Sequence, residues 1–257
     1  MLKEKIYLFH SLRKPHIHTY IHTYIRKSYS LTNNLTWITS FPASSFTQDN
    51  QTPYNLLHTS PKASEKSCFW KHYDAFKKIA KQNKIGLVLE DDSIFSDTLF
   101  IECENLIKNF SDDCFLINIE YSSDDVPLYY IFYKMVKMKG TKRTGGHIVS
   151  PKAAQKFIDF IDSYLDNHHQ FWQPIDAFIT EFHEKLTDNG VNIYWSVKPL
   201  IFQGSKTGRF ASKLSSHNAT DYYKFYEFFQ KYITSFINKL RACFRSKLRK
   251  RVIYPVK

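Results

Sequence analysis

Six residues, Leu87-Val88-Leu89-Glu90-Asp91-Asp92, hold the chain's densest potential for chemistry. The aliphatic run reads as a buried strand, and it ends abruptly in three adjacent carboxylates. Negative charge packed at the rim of a core calls for a counter-ion. Oxygen ligands select a hard dication such as Mg²⁺ or Mn²⁺, which can bridge protein carboxylates and a diphosphate. The alternative is a solvated acidic turn after a core strand.

The elements around this run decide where it sits. Ile6–Phe9 and Thr36–Phe41 read as strands, and residues 42–63 as a polar loop. Ser64 can cap a helix whose Phe69, Tyr73, Phe76 and Ala80 recur at helical spacing. After Asp92 come a helix near Leu99–Phe110, a strand Phe115–Ile119 and an aromatic strand Tyr129–Val136. Gly140–Gly146 is a basic, glycine-bearing turn. Ser150-Pro151 opens one helix and Pro174 another, the latter with Ile175, Ile179, Phe182 and Leu186 facing inward. Asn192–Val197 is a late strand, residues 203–220 a loop, and Tyr222 to about Leu248 a long helix. Alternating strands and helices predict an α/β fold around a mostly parallel sheet. Ligands of such sheets lie at the carboxyl ends of the strands, where Glu90–Asp92 falls.

With 257 residues, 43% of them hydrophobic, the chain is long enough for one large core. Its net charge of +12 asks for an anionic partner. The excess is largely terminal: no acidic residue follows Glu227, whereas Lys231, Lys239, Arg241, Arg245 and Lys247 through Lys257 crowd that end. Cys68, Cys103, Cys114 and Cys243 form no CxxC pair, which fits free thiols in a reducing compartment. Neither a signal peptide nor a transmembrane helix is expected. His18 and His22, one helical turn apart in a local duplication, could share a metal, but no carboxylate or Cys lies near in sequence, and a pair of surface histidines is the simpler reading.

Several segments, in order, resemble glycosyltransferase family 25, the lipooligosaccharide galactosyltransferase type. The family's G-E-x-G-C-x-x-S-H stretch is similar to Ser64-Glu65-Lys66-Ser67-Cys68-Phe69-Trp70-Lys71-His72, which keeps Glu65, Cys68 and His72 in register. Its L-x-L-E-D-D is Leu87–Asp92. Its glycine segment before a helix resembles Gly145-Gly146-His147-Ile148-Val149-Ser150, its P-x-D resembles Pro174-Ile175-Asp176, and its late proline and glutamine correspond to Pro199 and Gln203. The opening strand departs from the family's Asn-Leu-x-R pattern with Phe9-His10-Ser11-Leu12-Arg13, and two helix glycines are Ser64 and Ser67 here.

The resemblance implies a GT-A-like fold over residues 1–215 and inverting transfer of a hexose, galactose first, from a UDP-sugar. It also implies a lipid-linked oligosaccharide acceptor of lipopolysaccharide type. Asp92, with Glu90, is the expected ligand set for Mn²⁺ or Mg²⁺. Glu90 and Asp91, Lys142 and Arg143, Gly146 and Gln203 are expected at the donor. Asp176, at a helix start that favours an ionised carboxylate, is the expected general base. Glu65 and His72 are expected to support the site from their helix.

Residues 216–257 are expected to form a basic amphipathic helix. Tyr222, Phe225, Phe229, Ile233, Phe236, Leu240 and Phe244 make an apolar stripe among Lys and Arg, which suits an anionic membrane surface. The alternative is a helix docked on the core with a solvated basic end. The expected location is cytoplasmic, peripheral on the inner face of a bacterial inner membrane. Two rival classes are a catalytically silent glycan- or partner-binding family member and a nucleic-acid-binding protein. The confinement of basic residues to one end, with no recognised binding motif, speaks against nucleic acid.

Overall fold

The computed structural model describes residues 5–9, 35–46, 62–121, 126–141, 143–168, 174–204, 233, 235–244 and 251–256. Lys142, the histidine pair at 18 and 22, the helix expected over 16–29 and the stretch 205–232 lie outside them.

In chain order the elements are β1 (Lys5–Phe9), β2 (Leu35–Ile38), α1 (Ala63–Gln82), β3 (Gly86–Leu89), β4 (Ser93–Phe95), α2 (Leu99–Ile107), β5 (Phe115–Asn118), β6 (Met135–Met138) and β7 (Gly146–Val149). Then follow α3 (Pro151–His168), α4 (Ile175–Glu181), α5 (His183–Asp188), β8 (Asn192–Ser196), β9 (Ile201–Gln203), α6 (Ser235–Phe244) and β10 (Val252–Val256). The main sheet has eight strands in the order β10-β6-β8-β5-β7-β3-β1-β2, and β4 pairs with β9 separately. β1, β2, β3, β5, β8 and β10 share one direction, and β6 and β7 oppose them. The fold is α/β, as its alternating pattern predicts.

Strand periodicity sorts the core into two layers. Val88, Leu116, Val149 and Ile193 face α1, α3 and α4, where Phe69, Phe76, Phe157 and Phe178 are completely or almost completely buried. Leu87, Leu89, Ile117, Ile148 and Tyr194 face the opposite way, onto α2 and the β4–β9 pair. Burying each of these large side chains is worth about 1.5–3 kcal/mol, so the sheet is fixed from both faces. α1 matters most for function because it runs directly into β3.

Several elements differ locally from what the sequence predicts. α1 starts at Ala63, one residue before the expected cap at Ser64, and the Glu65 carboxylate accepts the Lys62 N–H at 2.7 Å. Glu65 thus secures the start of the helix that carries the site. Leu128–Tyr130 is a 3-10 turn, and the strand expected from Tyr129 begins only at Met135. The helix opened by Pro174 breaks at Phe182 into α4 and α5. The C-terminal region contributes an edge strand as well as a helix: β10 lies antiparallel to β6, and an edge position tolerates Pro255, which has no N–H to give. The boundary expected at 215/216 falls outside the described residues.

Candidate active site

β3 and β5 point the same way, with β7 antiparallel between them. The carboxyl ends of β3 and β5 and the start of β7 therefore meet at one edge of the sheet. Glu90 follows β3, Glu120 lies two residues beyond β5, and Gly145 immediately precedes β7. The topology gathers at this corner residues that are widely separated in sequence.

Glu90 is the hub. Its side chain is 16% exposed. One carboxylate oxygen accepts from Thr144 Oγ1 at 3.1 Å and from the Cys68 thiol at 3.5 Å, and the other accepts from Gln203 Nε2 at 3.3 Å. Its backbone N–H donates to Gly145 O at 3.0 Å. Burial raises the Glu90 pKa, opposed by hydrogen bonds from Thr144, Cys68 and Gln203 and by the charge of Lys71. Asp91 and Asp92 form the turn into β4; Asp92 is 7% exposed, and its carbonyl accepts the Gly204 N–H.

Glu120, fully buried, was not anticipated from the sequence. Its Oε2 accepts the Gly145 N–H at 2.7 Å. Burial, then the charge of Glu90, pushes its pKa up to about 8 against the pull of Arg143. Glycine at 145 is needed for this approach, since a Cβ there would stand 2.8 Å from Glu120 Oε2. Asn118, also buried, braces the loop by donating to Arg143 O at 2.6 Å while its Oδ1 accepts the Glu120 N–H. Both carboxylates end an apolar strand, in Leu-Val-Leu-Glu and Leu-Ile-Asn-Ile-Glu. That parallel is the one signal from which Glu120 could have been found.

Asp176 sits in the first turn of α4, and its Oδ1 accepts the Ala177 N–H at 2.9 Å. Burial raises its pKa more than that hydrogen bond lowers it, and Glu90 raises it further. Arg143 is half-buried and its charge reaches both Glu120 and Asp176. Lys71, on the buried face of α1, senses Asp91 and Glu90 and was likewise missed. His72 is completely buried, its Nε2 3.6 Å from Glu90 Oε1 and its ring edge-on to His147 at 5.9 Å. Burial lowers its pKa to about 3, so it stays neutral. Gly146 has a packing role: a Cβ there would fall 2.2 Å from Ile201 Cδ1.

Chemically, the corner holds more carboxylates (Glu90, Asp91, Asp92, Glu120, Asp176) than cations (Lys71, Arg143) among the described residues. Raised pKa values at Glu90, Glu120 and Asp176 are the signature of uncompensated buried negative charge. Hard oxygen donors with such an excess fit Mg²⁺ or Mn²⁺.

A comparison with curated proteins finds no match. Among solved structures, the apo form of the glycosyltransferase GlyE from Streptococcus pneumoniae TIGR4 is similar at 13% identity and a TM-score of 0.38, over 99% of this chain and 65% of that one. So distant a likeness carries no functional argument. The family comparison is stronger. Residues 44–179, more than half of the chain, match "Glycosyltransferase family 25 (LPS biosynthesis protein)", and that span holds Glu90–Asp92, Glu120, Gly145 and Asp176. This chain belongs to glycosyltransferase family 25.

Proposed function

We propose that the chain transfers a hexose, galactose first among candidates, from a UDP-sugar to a hydroxyl of a lipid-linked oligosaccharide in lipopolysaccharide assembly. The reading is of a GT-A-like enzyme that inverts the anomeric centre in one displacement. The observation that carries it is the crowd of buried carboxylates where β3, β5 and β7 meet, within a family 25 sequence.

Asp92, backed by Asp91, holds Mn²⁺ or Mg²⁺ in this reading. The dication supplies charge neutralisation for the departing diphosphate. Glu90 is committed to Thr144, Gln203 and Cys68, so its part is to fix Gln203 beside the donor and shape the floor. Arg143, with Lys142 preceding it, is the cation turned to the diphosphate. Asp176 accepts the proton of the acceptor hydroxyl. Burial raises its pKa, which makes it a stronger base than a solvated aspartate. Glu120 anchors the Gly145 N–H and so sets the height of the glycine turn over the corner.

The acceptor's lipid gives the exposed aromatics a role. α6 docks one face on the core through buried Ala242 and Asn238. Its other face leaves Phe236, Leu240 and Phe244 in solvent, Phe244 at 79% exposure. The 128–130 turn packs against α6, its Leu128 N–H on Cys243 Sγ, and presents Tyr129, Ile131 and Phe132, the last 88% exposed. An apolar patch with Lys239 and Arg241 beside it suits the headgroup boundary of an anionic leaflet. No described helix is long and apolar enough to cross a membrane.

The test is a panel of nucleotide sugars with Mn²⁺ and a lipooligosaccharide acceptor, read as released nucleotide diphosphate. Transfer from a UDP-hexose, abolished in Asp92→Ala and Asp176→Asn variants that still fold, is expected. Near-normal turnover in either variant removes that residue's role.

A further inference from the structure

We infer that Cys68, His72 and Glu90 form a second cation site, one for a zinc-class transition dication, adjoining the carboxylate corner assigned to Asp92 and sharing Glu90 with it. Cys68 and His72 stand one helical turn apart on α1, so their side chains project from the same stripe. Glu90 comes from the end of β3 to meet them. Cys68 Sγ lies 3.5 Å and His72 Nε2 3.6 Å from Glu90 Oε1, and the three ligand atoms are all within 4.8 Å of one another.

These separations match metal coordination. With bonds of about 2.0–2.3 Å to N, O and S, ligand atoms of a tetrahedral zinc site stand about 3.3–3.8 Å apart. Two of the three edges already fall in that range, and the third is no longer than 4.8 Å. The donor set is chosen by chemistry as well. Thiolate and imidazole favour zinc-class ions and disfavour Mg²⁺, which the all-oxygen set at Asp91 and Asp92 suits. Binding releases the Cys68 thiol proton to solvent, and thiolate plus carboxylate then balance the dication's charge while His72 binds as neutral imidazole.

The surroundings hold the ligands in place. The fully buried His72 ring has Phe76 at 6.1 Å and His147 at 5.9 Å as aromatic neighbours. Thr144 Oγ1 donates to Glu90 Oε1 at 3.1 Å, the kind of outer hydrogen bond that orients a metal-binding carboxylate. Three protein ligands leave a fourth position for water or a substrate atom. The site shares Glu90 with the proposed transfer machinery, but its readout, a cobalt spectrum, does not require transfer to occur.

The test is cobalt(II) titration of the full chain after chelator treatment, followed by absorption spectroscopy. One equivalent is expected to give a thiolate-to-cobalt charge-transfer band in the near ultraviolet with tetrahedral d–d bands, displaced by Zn²⁺ but not by excess Mg²⁺. Cys68→Ser should lose the charge-transfer band, and Cys103→Ser should keep it. His72→Gln should weaken cobalt binding by roughly tenfold or more, at least the loss known for outer-shell changes. Wild-type protein giving no charge-transfer band overturns the site, whatever the variants do. So does a band that survives Cys68→Ser.

Discussion

Replacing Gly146 with alanine separates two roles for this glycine, packing and donor contact. The added methyl would lie 2.2 Å from Ile201 Cδ1, 3.1 Å from Ile201 Cγ1 and 3.3 Å from Leu89 Cδ2. Ile201 is fully buried, so Cδ1 has no solvent to turn into. Overpacking of this kind costs about 1–3 kcal/mol, and for a chain of this size each kcal/mol lowers Tm by about 2–4 °C. Ile201→Val deletes the offending Cδ1 and alone costs about 0.5–1.5 kcal/mol. Combined, the two changes should be less damaging than their sum, because the closest remaining approach relaxes to 3.1 Å. Urea unfolding of the four proteins, with UDP-sugar affinity measured in parallel, reads both quantities. If Gly146→Ala unfolds like wild type yet loses donor binding, the packing account is wrong and a donor contact takes its place.

Other consequences are open to measurement. Glu120 titrates near 8 when folded against 4.5 for an ordinary glutamate, so between those values the folded chain binds the extra proton. Metal-free stability should fall on the order of a few kcal/mol as pH rises through that window, and Glu120→Gln should flatten the dependence in urea melts. Gly145→Ala, which presses a methyl on Glu120 Oε2 and Gln203 Nε2, should lower kcat more than it lowers Tm, since the clash falls inside the corner. Phe244→Ser with Phe236→Ser should weaken sedimentation with anionic vesicles severalfold without shifting Tm, both side chains being exposed; unchanged sedimentation would rule out that face as the contact.

The sequence disclosed the site's position better than its membership. Leu87–Asp92 was legible because an apolar run of strand length ends in charge, and β3 does end at Leu89. The buried stripe of α1 was legible from its 3.6-residue spacing, with Phe69, Tyr73 and Phe76 in the core. Glu120 and Lys71 were not, because what makes them site residues is the antiparallel insertion of β7 between β3 and β5 and the docking of α1 on β3. Such non-local pairing leaves no periodic trace along the chain. Gly146 is ambiguous in sequence for a related reason: a glycine beside a phosphate and a glycine packed against Ile201 look alike until the partner is known. The run Tyr129–Tyr133 has strand-like composition, yet Pro127 opens a 3-10 turn there, with Tyr129 and Phe132 exposed and Tyr130 and Tyr133 packed on the core.

The proposed transfer depends on the carboxylates of the β3 tip capturing a dication that in turn grips a nucleotide diphosphate. Isothermal titration calorimetry with UDP, with and without Mn²⁺, on wild type and Asp92→Asn tests it most directly. UDP binding that needs Mn²⁺ in the wild type and vanishes in the variant is the predicted result. Binding of equal strength without Mn²⁺, or undiminished in Asp92→Asn, contradicts it.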